Sequence, residues 1–202
     1  MTISINIKSQ YGIMNQVIEC INTRTSVRNY KDEEIPDEVI MKLLNLGFRG
    51  PNAMNKQALA FAVVKNRDKA KEYSDRAKTL RIEGEGMKSE PSEKLIRILS
   101  DENYNVFFNS PVQIFIFSSP EGVKPVEDGA IAAQNITLAA HSMGYGTCFI
   151  GFAQGLGRDS SFRADLNVPG DYTYITALAL GVPAEENPVT PRNDLKILSW
   201  LK

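Results

Sequence analysis

The sequence predicts an α+β fold in which helices flank a central mixed or antiparallel sheet. Segments with apolar residues at helical spacing mix with short apolar runs of strand length, and they follow no strict βαβ order. A length of 202 residues suits a single domain with one core. Hydrophobic residues make up 43% of the chain and charged residues 23%, as in ordinary globular proteins.

The first quarter of the chain predicts an arm and two helices. Residues 1–13 are expected to form an N-terminal arm. Three isoleucines alternate there with polar residues, which is typical of a short strand or an extended arm. Residues 14–22 carry apolar residues on one helical face. A second helix opens at Pro36, followed by two acidic residues that suit the positive end of the helix dipole. Gly47 and Gly50 are expected to end it.

The middle of the chain predicts two strands and two helices. Residues 60–64 read as a buried strand and residues 112–117 as the strongest strand candidate. Residues 67–81 carry mixed charges and predict a surface helix, while residues 92–99 predict a shorter one. The stretch 82–93 contains two glycines and a proline, which favours a loop.

The last third predicts one long helix and two strands. Residues 126–143 are rich in alanine and predict a helix that is buried on most sides and stopped by Gly144. Residues 146–150 and 172–180 predict strands. Residues 183–202 form a proline-rich tail without a clear period over most of its length. No internal repeat is visible.

Composition excludes several classes of function. The chain has 23 basic and 24 acidic residues, so its net charge of −1 argues against nucleic-acid or anionic-membrane binding. His141 is the single histidine, which argues against a multi-histidine metal centre. Cys20 and Cys148 rule out a disulfide scaffold and fit free thiols in a reducing cytoplasm. We expect no targeting segment and no membrane span.

The segment 24–28 contains an alternation of basic and hydroxyl side chains. Arg24, Ser26 and Arg28 point the same way if the segment is extended. Two guanidinium groups and a hydroxyl on one side suit a phosphate, since arginine binds phosphate through two donors and keeps its charge. Taken alone, the spacing is more typical of a solvated basic loop after a helix.

Two further loops are candidates for ligand contact. Residues 50–57 (G-P-N-A-M-N-K-Q) carry amide groups that can pair with the edge of a heterocycle, or they simply end the preceding helix. Residues 144–151 (G-Y-G-T-C-F-I-G) lack the lysine of a P-loop, yet their glycines let backbone approach a flat ligand. We interpret His141 as a capping or packing residue. No catalytic acid, base or nucleophile is expected.

The order of these segments resembles one known family. A helix, then R-T-S-V-R-N-Y, E-I-P-D-E-V-I-M-K-L-L, G-P-N-A-M-N-K-Q and a strand resemble the N-terminal half of the FMN-dependent nitroreductases. The long helix and its following strand (residues 128–151) are similar to that family's central helix and strand. A-L-A-L-G-V-P-A-E and the later Pro191-Arg192 resemble its closing strand and tail. The resemblance covers about residues 14–200.

The resemblance implies an intertwined homodimer of nitroreductase-like subunits, each a single domain over residues 1–202, with FMN at the interface and the tail 183–202 packing on the partner. It implies that the following residues bind FMN: Arg24, Thr25, Ser26, Arg28, Pro51, Asn52, Ala53, Asn55, Asn103, Ile150, Gly151 and Arg192.

The resemblance also implies roles for these residues. Arg24 and Ser26 would hold the phosphate together with Arg192, and Arg28 would reach the ribityl chain or the pyrimidine side of the ring. The loop residues 51–55 of the partner subunit would lie against the flavin. A backbone N–H at Ile150 or Gly151 would face flavin N5, and Asn103 would bind the ring edge.

The activity implied is an FMN-dependent oxidoreductase that takes electrons from NAD(P)H by a ping-pong mechanism. Its acceptor would be a flat, electron-poor small molecule such as a nitroaromatic or a quinone. The sequence leaves two alternatives open. One is other flavin chemistry of the same superfamily (flavin fragmentation, dehalogenation or enone reduction), and the other is an FMN-binding dimer without catalysis.

Overall fold

The structure, a computed structural model, describes residues 15–84 and 92–202. The predicted N-terminal arm and most of the predicted loop 82–93 lie outside these residues. The helices are α1 (Gln16–Thr23), α2 (Asp37–Phe48), α3 (Arg67–Ile82), α4 (Glu93–Leu99), α5 (Pro125–Ser142) and α6 (Ser160–Asp165). The strands are β1 (Leu59–Val64), β2 (Val112–Ser118), β3 (Gly146–Phe149) and β4 (Thr173–Gly181). Two 3-10 segments, Ala53–Asn55 and Gly151–Arg158, complete the regular structure.

The four strands form one antiparallel sheet in the order β1-β2-β4-β3, which confirms the predicted α+β class. The centre of the sheet is fully buried, since every residue of β2 is buried. The pairing between β2 and β4 shifts register between Ile116 and Phe117. The one parallel pairing in the described chain is an isolated bridge between Ser26 and Thr147.

The alternating side chains of β2 and β4 separate two cores. Phe115 and Phe117 face a cluster rich in aromatic rings, in which Tyr73 of α3 and Phe162 of α6 pack edge to face with ring centroids 4.9 Å apart. Ile114 and Ile116 face the other cluster, which α2 and α5 cover. Each such buried side chain contributes about 1.5–3 kcal/mol. The sheet is therefore covered on both faces, and α5 lies across one of them.

Two glycines, one after α5 and one inside α2, are required for different physical reasons. Gly144 (φ +83°) follows the end of α5 in the left-handed conformation, as predicted. Gly47 does not end α2, contrary to the prediction, because the helix continues to Phe48. A Cβ at Gly47 would lie 2.7 Å from Ile136 Cγ1. Gly47 is needed for the close contact of α2 with α5 and not as a stop.

Burial corrects two sequence interpretations. The strand β1 lies at the sheet edge and only Val64 is buried, so it is not the buried strand that its apolar composition predicted. The helix α3 is not a plain surface helix, since its inner face buries Tyr73, Lys78 and Arg81. Lys78 Nζ donates to the carbonyl oxygens of residues 101 and 104 at 3.1 and 3.0 Å.

Candidate functional site

The segment 24–28 lies against the edge of the sheet. The helix α1 ends at Thr23 because Arg24 turns to extended backbone (φ −60°, ψ 133°). Ser26 then bridges to Thr147 of β3, and the Val27 N–H donates to Thr147 O at 3.0 Å. Backbone pairing therefore fixes the position of the predicted phosphate-binding residues.

The two arginines of this segment, Arg24 and Arg28, have different surroundings. Arg24 is half-buried, lines a cleft and has no ion-pair partner among the described residues. The Arg28 guanidinium lies over the Phe108 ring, 5.8 Å from its centroid, and Nη1 reaches Ser26 O at 3.4 Å. Burial raises the pKa of the Cys148 thiol, and the nearby Arg28 and Arg24 oppose that rise. Both cations thus lie near one buried thiol.

The cleft beside Arg24 has a volume of about 830 Å³, within the range of ligand pockets. Its walls come from the end of α1, the C-terminal half of α5, the start of β3 and the chain after β4. The charged residues that line it are Arg24, Lys31, Glu185 and Glu186. The polar residues are Thr23, Thr25, Thr137, His141, Tyr145, Thr147 and Asn187.

His141 lies in this cleft, beside Arg24. Its Nε2 is 2.8 Å from Thr23 Oγ1, which joins α5 to the end of α1. Burial, and then the charge of Arg24, lower the pKa of His141 below its usual value. The packing role predicted for His141 is present, but the residue also borders the candidate site.

The loop 50–57 is held by a buried carboxylate. The Ala53 N–H donates to Asp128 Oδ1 at 3.0 Å, and the Gln57 N–H donates to Asn52 Oδ1 at 2.8 Å. Three of its residues, Met54, Asn55 and Gln57, have φ between 51° and 54°, which is left-handed backbone outside glycine. Pro51 and Asn55, both predicted to bind the cofactor, are exposed.

The loop and Arg24 lie near opposite ends of α5. The loop contacts Asp128 in the first turn of α5, whereas Arg24 neighbours His141 in its last turn. His141 lies thirteen positions after Asp128 on this helix, which corresponds to roughly 20 Å at 1.5 Å per residue. Within one chain, the loop and Arg24 therefore lie at positions about 20 Å apart along α5.

The structure distinguishes Ile150 from Gly151, the two residues whose backbone N–H was predicted to face the flavin. The Ile150 N–H donates to Ala177 O at 2.9 Å, so it is used inside the chain and is not available to a ligand. This corrects the Ile150 half of the prediction. Gly151 is exposed, and no heavy atom lies within 4 Å of the position that a Cβ would take. Gly151 remains the residue whose backbone a flat ligand can approach.

Asn103 and Arg192 are not brought to the cleft in one chain. Asn103 lines a separate cleft of about 430 Å³, and its N–H donates to Asp101 Oδ1 at 2.9 Å. The next residue, Tyr104, packs edge to face on Phe108 beneath Arg28, with centroids 6.3 Å apart. Arg192 is exposed in the tail, beyond the residues that line the larger cleft.

Sequence reasoning missed three residues of this site. Phe108 supports Arg28, Thr23 contacts His141, and Thr147 both lines the cleft and pairs with Ser26. No local pattern marks these pairs, because 80 to 121 residues separate their members along the chain. Over residues 15–84 and 92–202 there is no helix long and apolar enough to cross a bilayer and no group of three or more metal-binding side chains.

Comparison with known proteins gives a consistent picture. The profile of the Nitroreductase family matches residues 21–182. A protein of Methanothermobacter thermautotrophicus, whose name reads in part NADH dehydrogenase/NAD(P)H nitroreductase, is 33% identical over 179 residues, which is 86% of this chain and 80% of that protein. The NADPH-flavin oxidoreductase of Vibrio harveyi is 28% identical over 181 residues, covering 89% of this chain and 70% of that protein. The crystal structure of a Bacteroides fragilis nitroreductase with bound FMN superimposes with a TM-score of 0.76 at 27% identity, covering 93% of this chain and 98% of that one.

Proposed function

Because this chain belongs to the nitroreductase family, we propose that it is an oxidoreductase that binds FMN and takes electrons from NAD(P)H. The observation that carries the proposal is Arg24, a half-buried guanidinium that lines a cleft and has no ion-pair partner in the described chain. Leaving such a charge uncompensated is costly, so the site suits an anionic ligand. The neighbour from Bacteroides fragilis holds FMN, which carries such an anion.

The phosphate of FMN would be held at Arg24. A phosphomonoester carries about −1.5 to −2 charges at neutral pH and is best met by at least two cations. Thr25 and Ser26 lie next to Arg24 on the paired segment, and Arg192 in the exposed tail would supply a second guanidinium. Arg28, which lies beside Phe108 and Cys148, would meet the ribityl chain or the pyrimidine side of the ring.

The ring would need residues from both subunits. The exposed backbone at Gly151 comes from the same chain as Arg24. The loop residues Pro51, Asn52, Ala53 and Asn55 would come from the partner, because roughly 20 Å of α5 separates them from Arg24 in one chain. Asn103 would meet the ring edge. The resulting site is incomplete in a single copy.

The tail supports the same assembly. Residues 183–202 form no helix or long strand, and the last part is exposed although it is apolar: Leu195 is 85% exposed, Leu198 99% and Trp200 73%. Exposed apolar side chains grouped in this way are typical of a surface that contacts another molecule. We propose a homodimer in which this tail packs on the partner subunit, so that the domain 1–202 is completed by a second copy.

Bound FMN would supply the redox chemistry, a reversible two-electron exchange. The chain's own contribution is to bind and orient. Arg28 would offset negative charge on the pyrimidine side of the ring, and the open backbone at Gly151 would leave one edge approachable. NAD(P)H and a flat electron-poor acceptor, such as a nitroaromatic or a quinone, would occupy the same face in turn. The free thiols Cys20 and Cys148 fit a cytoplasmic protein.

The proposal is tested by replacing Arg24. We expect Arg24→Ala to weaken FMN binding at least tenfold, because a hydrogen bond to a charged group is typically worth about 1.5–3 kcal/mol. Arg97→Ala, which removes an exposed arginine of α4, is the matched control and should bind FMN as the parent does. Titration of the apoprotein with FMN, followed by flavin fluorescence, measures both. Equal affinities of the two variants would refute the phosphate site.

The catalytic part of the proposal needs a separate measurement. Adding NADH or NADPH to the flavin-loaded protein without oxygen should bleach the flavin absorption band. Flavin that binds but stays oxidised would favour the alternative of an FMN-binding dimer without catalysis. Turnover with nitroaromatics and quinones, set against enones and halogenated aromatics, separates the proposed acceptors from the other chemistry of the superfamily.

A further inference from the structure

The hydrogen bonds around Thr23 favour one tautomer of His141. Thr23 Oγ1 donates its single hydrogen to Glu19 O at 2.8 Å. The same oxygen lies 2.8 Å from His141 Nε2, and it has no second hydrogen to give. We assign the proton to Nε2, which then donates to Thr23 Oγ1, because this arrangement keeps the hydrogen bond from Thr23 to Glu19 O. In the neutral ring this leaves Nδ1 as the unprotonated nitrogen.

The surroundings of the imidazole disfavour its protonated form in the absence of a ligand. Burial lowers its pKa first and the nearby Arg24 lowers it further. His141 and Arg24 line the same cleft. The titratable and charged groups that face this cleft or the neighbouring groove between α1 and α5 are Glu19, Cys20, Arg24, Lys31, Tyr145, Glu185 and Glu186.

We propose that His141 is a proton-linked member of the phosphate site: when a phosphomonoester binds beside Arg24, the imidazole takes up a proton from solvent at Nδ1 and adds a second cation to the site. The inference rests on the proposed function, since it assumes that the anion at Arg24 is the phosphate of FMN. It assigns to His141 a positioning and charge-balancing role in cofactor binding, and none in the redox step.

Two physical arguments support this role. A ligand with about −1.5 to −2 charges replaces net repulsion from Arg24 by net attraction, so the charged imidazole becomes favourable. The last turn of α5 also favours a cation, because the helix dipole is negative there. The bond to Thr23 needs no rearrangement, since Nε2–H donates to Thr23 Oγ1 in both protonation states.

The sign of the pH dependence follows. FMN binding takes up protons at pH values between the low pKa of the free protein and the higher pKa of the complex. Over that window the contribution of His141 to affinity falls as pH rises, by at most about tenfold per pH unit. The second ionisation of the phosphate itself, near pH 6, acts in the opposite direction. A variant without the imidazole is therefore needed to isolate the effect.

The direct test uses the fact that this chain has one histidine. In protein labelled with ¹⁵N on the ring, the two nitrogen resonances report both tautomer and pKa without any assignment problem. We expect the Nε2–H tautomer in the apoprotein, and a pKa at least about one unit higher with FMN bound. Riboflavin, which lacks the phosphate, is the control ligand and should leave the pKa unchanged. Inorganic phosphate should raise it in the same direction as FMN.

The variant His141→Gln complements this experiment. Its amide can still donate to Thr23 but cannot titrate, so it should lose affinity for FMN more at pH 6 than at pH 8 relative to the parent. An Nδ1–H tautomer, or a pKa that FMN and riboflavin change equally, would overturn the inference while leaving the proposed function intact. Failure of the parent protein to bind FMN at any pH would instead overturn the proposed function.

Discussion

The two ends of α5 border two parts of the candidate site that differ in construction. At its C-terminal end, Arg24 sits on a segment paired by backbone hydrogen bonds to β3 and partly enclosed by a cleft. At its N-terminal end, the loop 50–57 pairs with no strand and is attached to α5 by a hydrogen bond from the Ala53 N–H to the buried carboxylate of Asp128. The first end faces inward on its own chain, and the second presents exposed Pro51 and Asn55 outward.

In the proposed homodimer, the end at Arg24 would bind FMN held by its own chain, and the loop 50–57 would contact FMN held by the second copy. Left-handed backbone at Met54, Asn55 and Gln57 stores strain, which costs on the order of 1 kcal/mol or more per residue. Strained segments persist where the surrounding structure holds them, here through Asp128 and Asn52. A strained loop held rigid on the surface is suited to contact another molecule.

Mixed dimers test this division with the largest expected effect. We expect Arg24→Ala to lose FMN at both sites of its homodimer, and the double variant Asn52→Ala, Asn55→Ala to lose it at both sites too. A heterodimer of the two chains has one site with both defects and one site with none. Purified through two different tags, it should bind about one FMN per two chains with the affinity of the parent.

Each alternative predicts a different stoichiometry in that experiment. If loop and arginine served the same chain, no site in the heterodimer would be intact and FMN binding would stay weak. If the loop played no part in binding, the double variant would bind FMN normally. The heterodimer of the parent chain with Arg24→Ala, which keeps one intact site under either arrangement, calibrates the measurement.

The anchor of the loop is the next feature to break. Asp128 is 6% exposed and accepts the Ala53 N–H. We expect Asp128→Ala to lower the free energy of unfolding by about 1.5–3 kcal/mol, the worth of a hydrogen bond to a charged group. Asp128→Asn keeps an acceptor oxygen and should lose less. Urea unfolding measures both, and equal stability of the parent and Asp128→Ala would show that the loop is held by other contacts.

The sequence predicted the segment 24–28 of the site better than it predicted which distant residues contact one another there. The alternation of Arg24, Ser26 and Arg28 is readable because extended backbone has a period of two residues, which is a local rule. The glycine that follows the end of α5, Gly144, is likewise predicted by a local rule. These features depend on neighbours in the chain, so a single sequence is enough to predict them.

Other features depend on contacts between distant parts of the chain. Gly47 looked like a helix stop, and only its contact with Ile136 shows why a glycine is needed inside α2. Ile150 looked equivalent to Gly151 until its N–H was found to pair with Ala177. His141 was predicted to be a capping or packing residue because it lies near the end of a helix. Its contact with Thr23 was not predicted, because Thr23 is 118 positions away. No periodicity encodes such pairs, since the fold alone brings them together.

The smallest expected effect concerns the paired end of the site. A Cβ at Gly146 would lie 2.5 Å from Val27 Cγ2 and 2.7 Å from its Cβ, so Gly146→Ala must push the segment 24–28 away from β3. Overpacking of this kind costs about 1–3 kcal/mol of unfolding free energy. Gly170→Ala is the matched control, because no atom lies within 4 Å of the new methyl group. Urea unfolding measures the loss of stability in the two variants, and FMN titration measures whether the shifted segment still binds the cofactor. Because Val27 adjoins Ser26 on the displaced segment, the Gly146→Ala variant should also bind FMN more weakly.

If Gly146→Ala were destabilised but bound FMN normally, the phosphate contacts would not depend on the pairing of the segment 24–28 with β3.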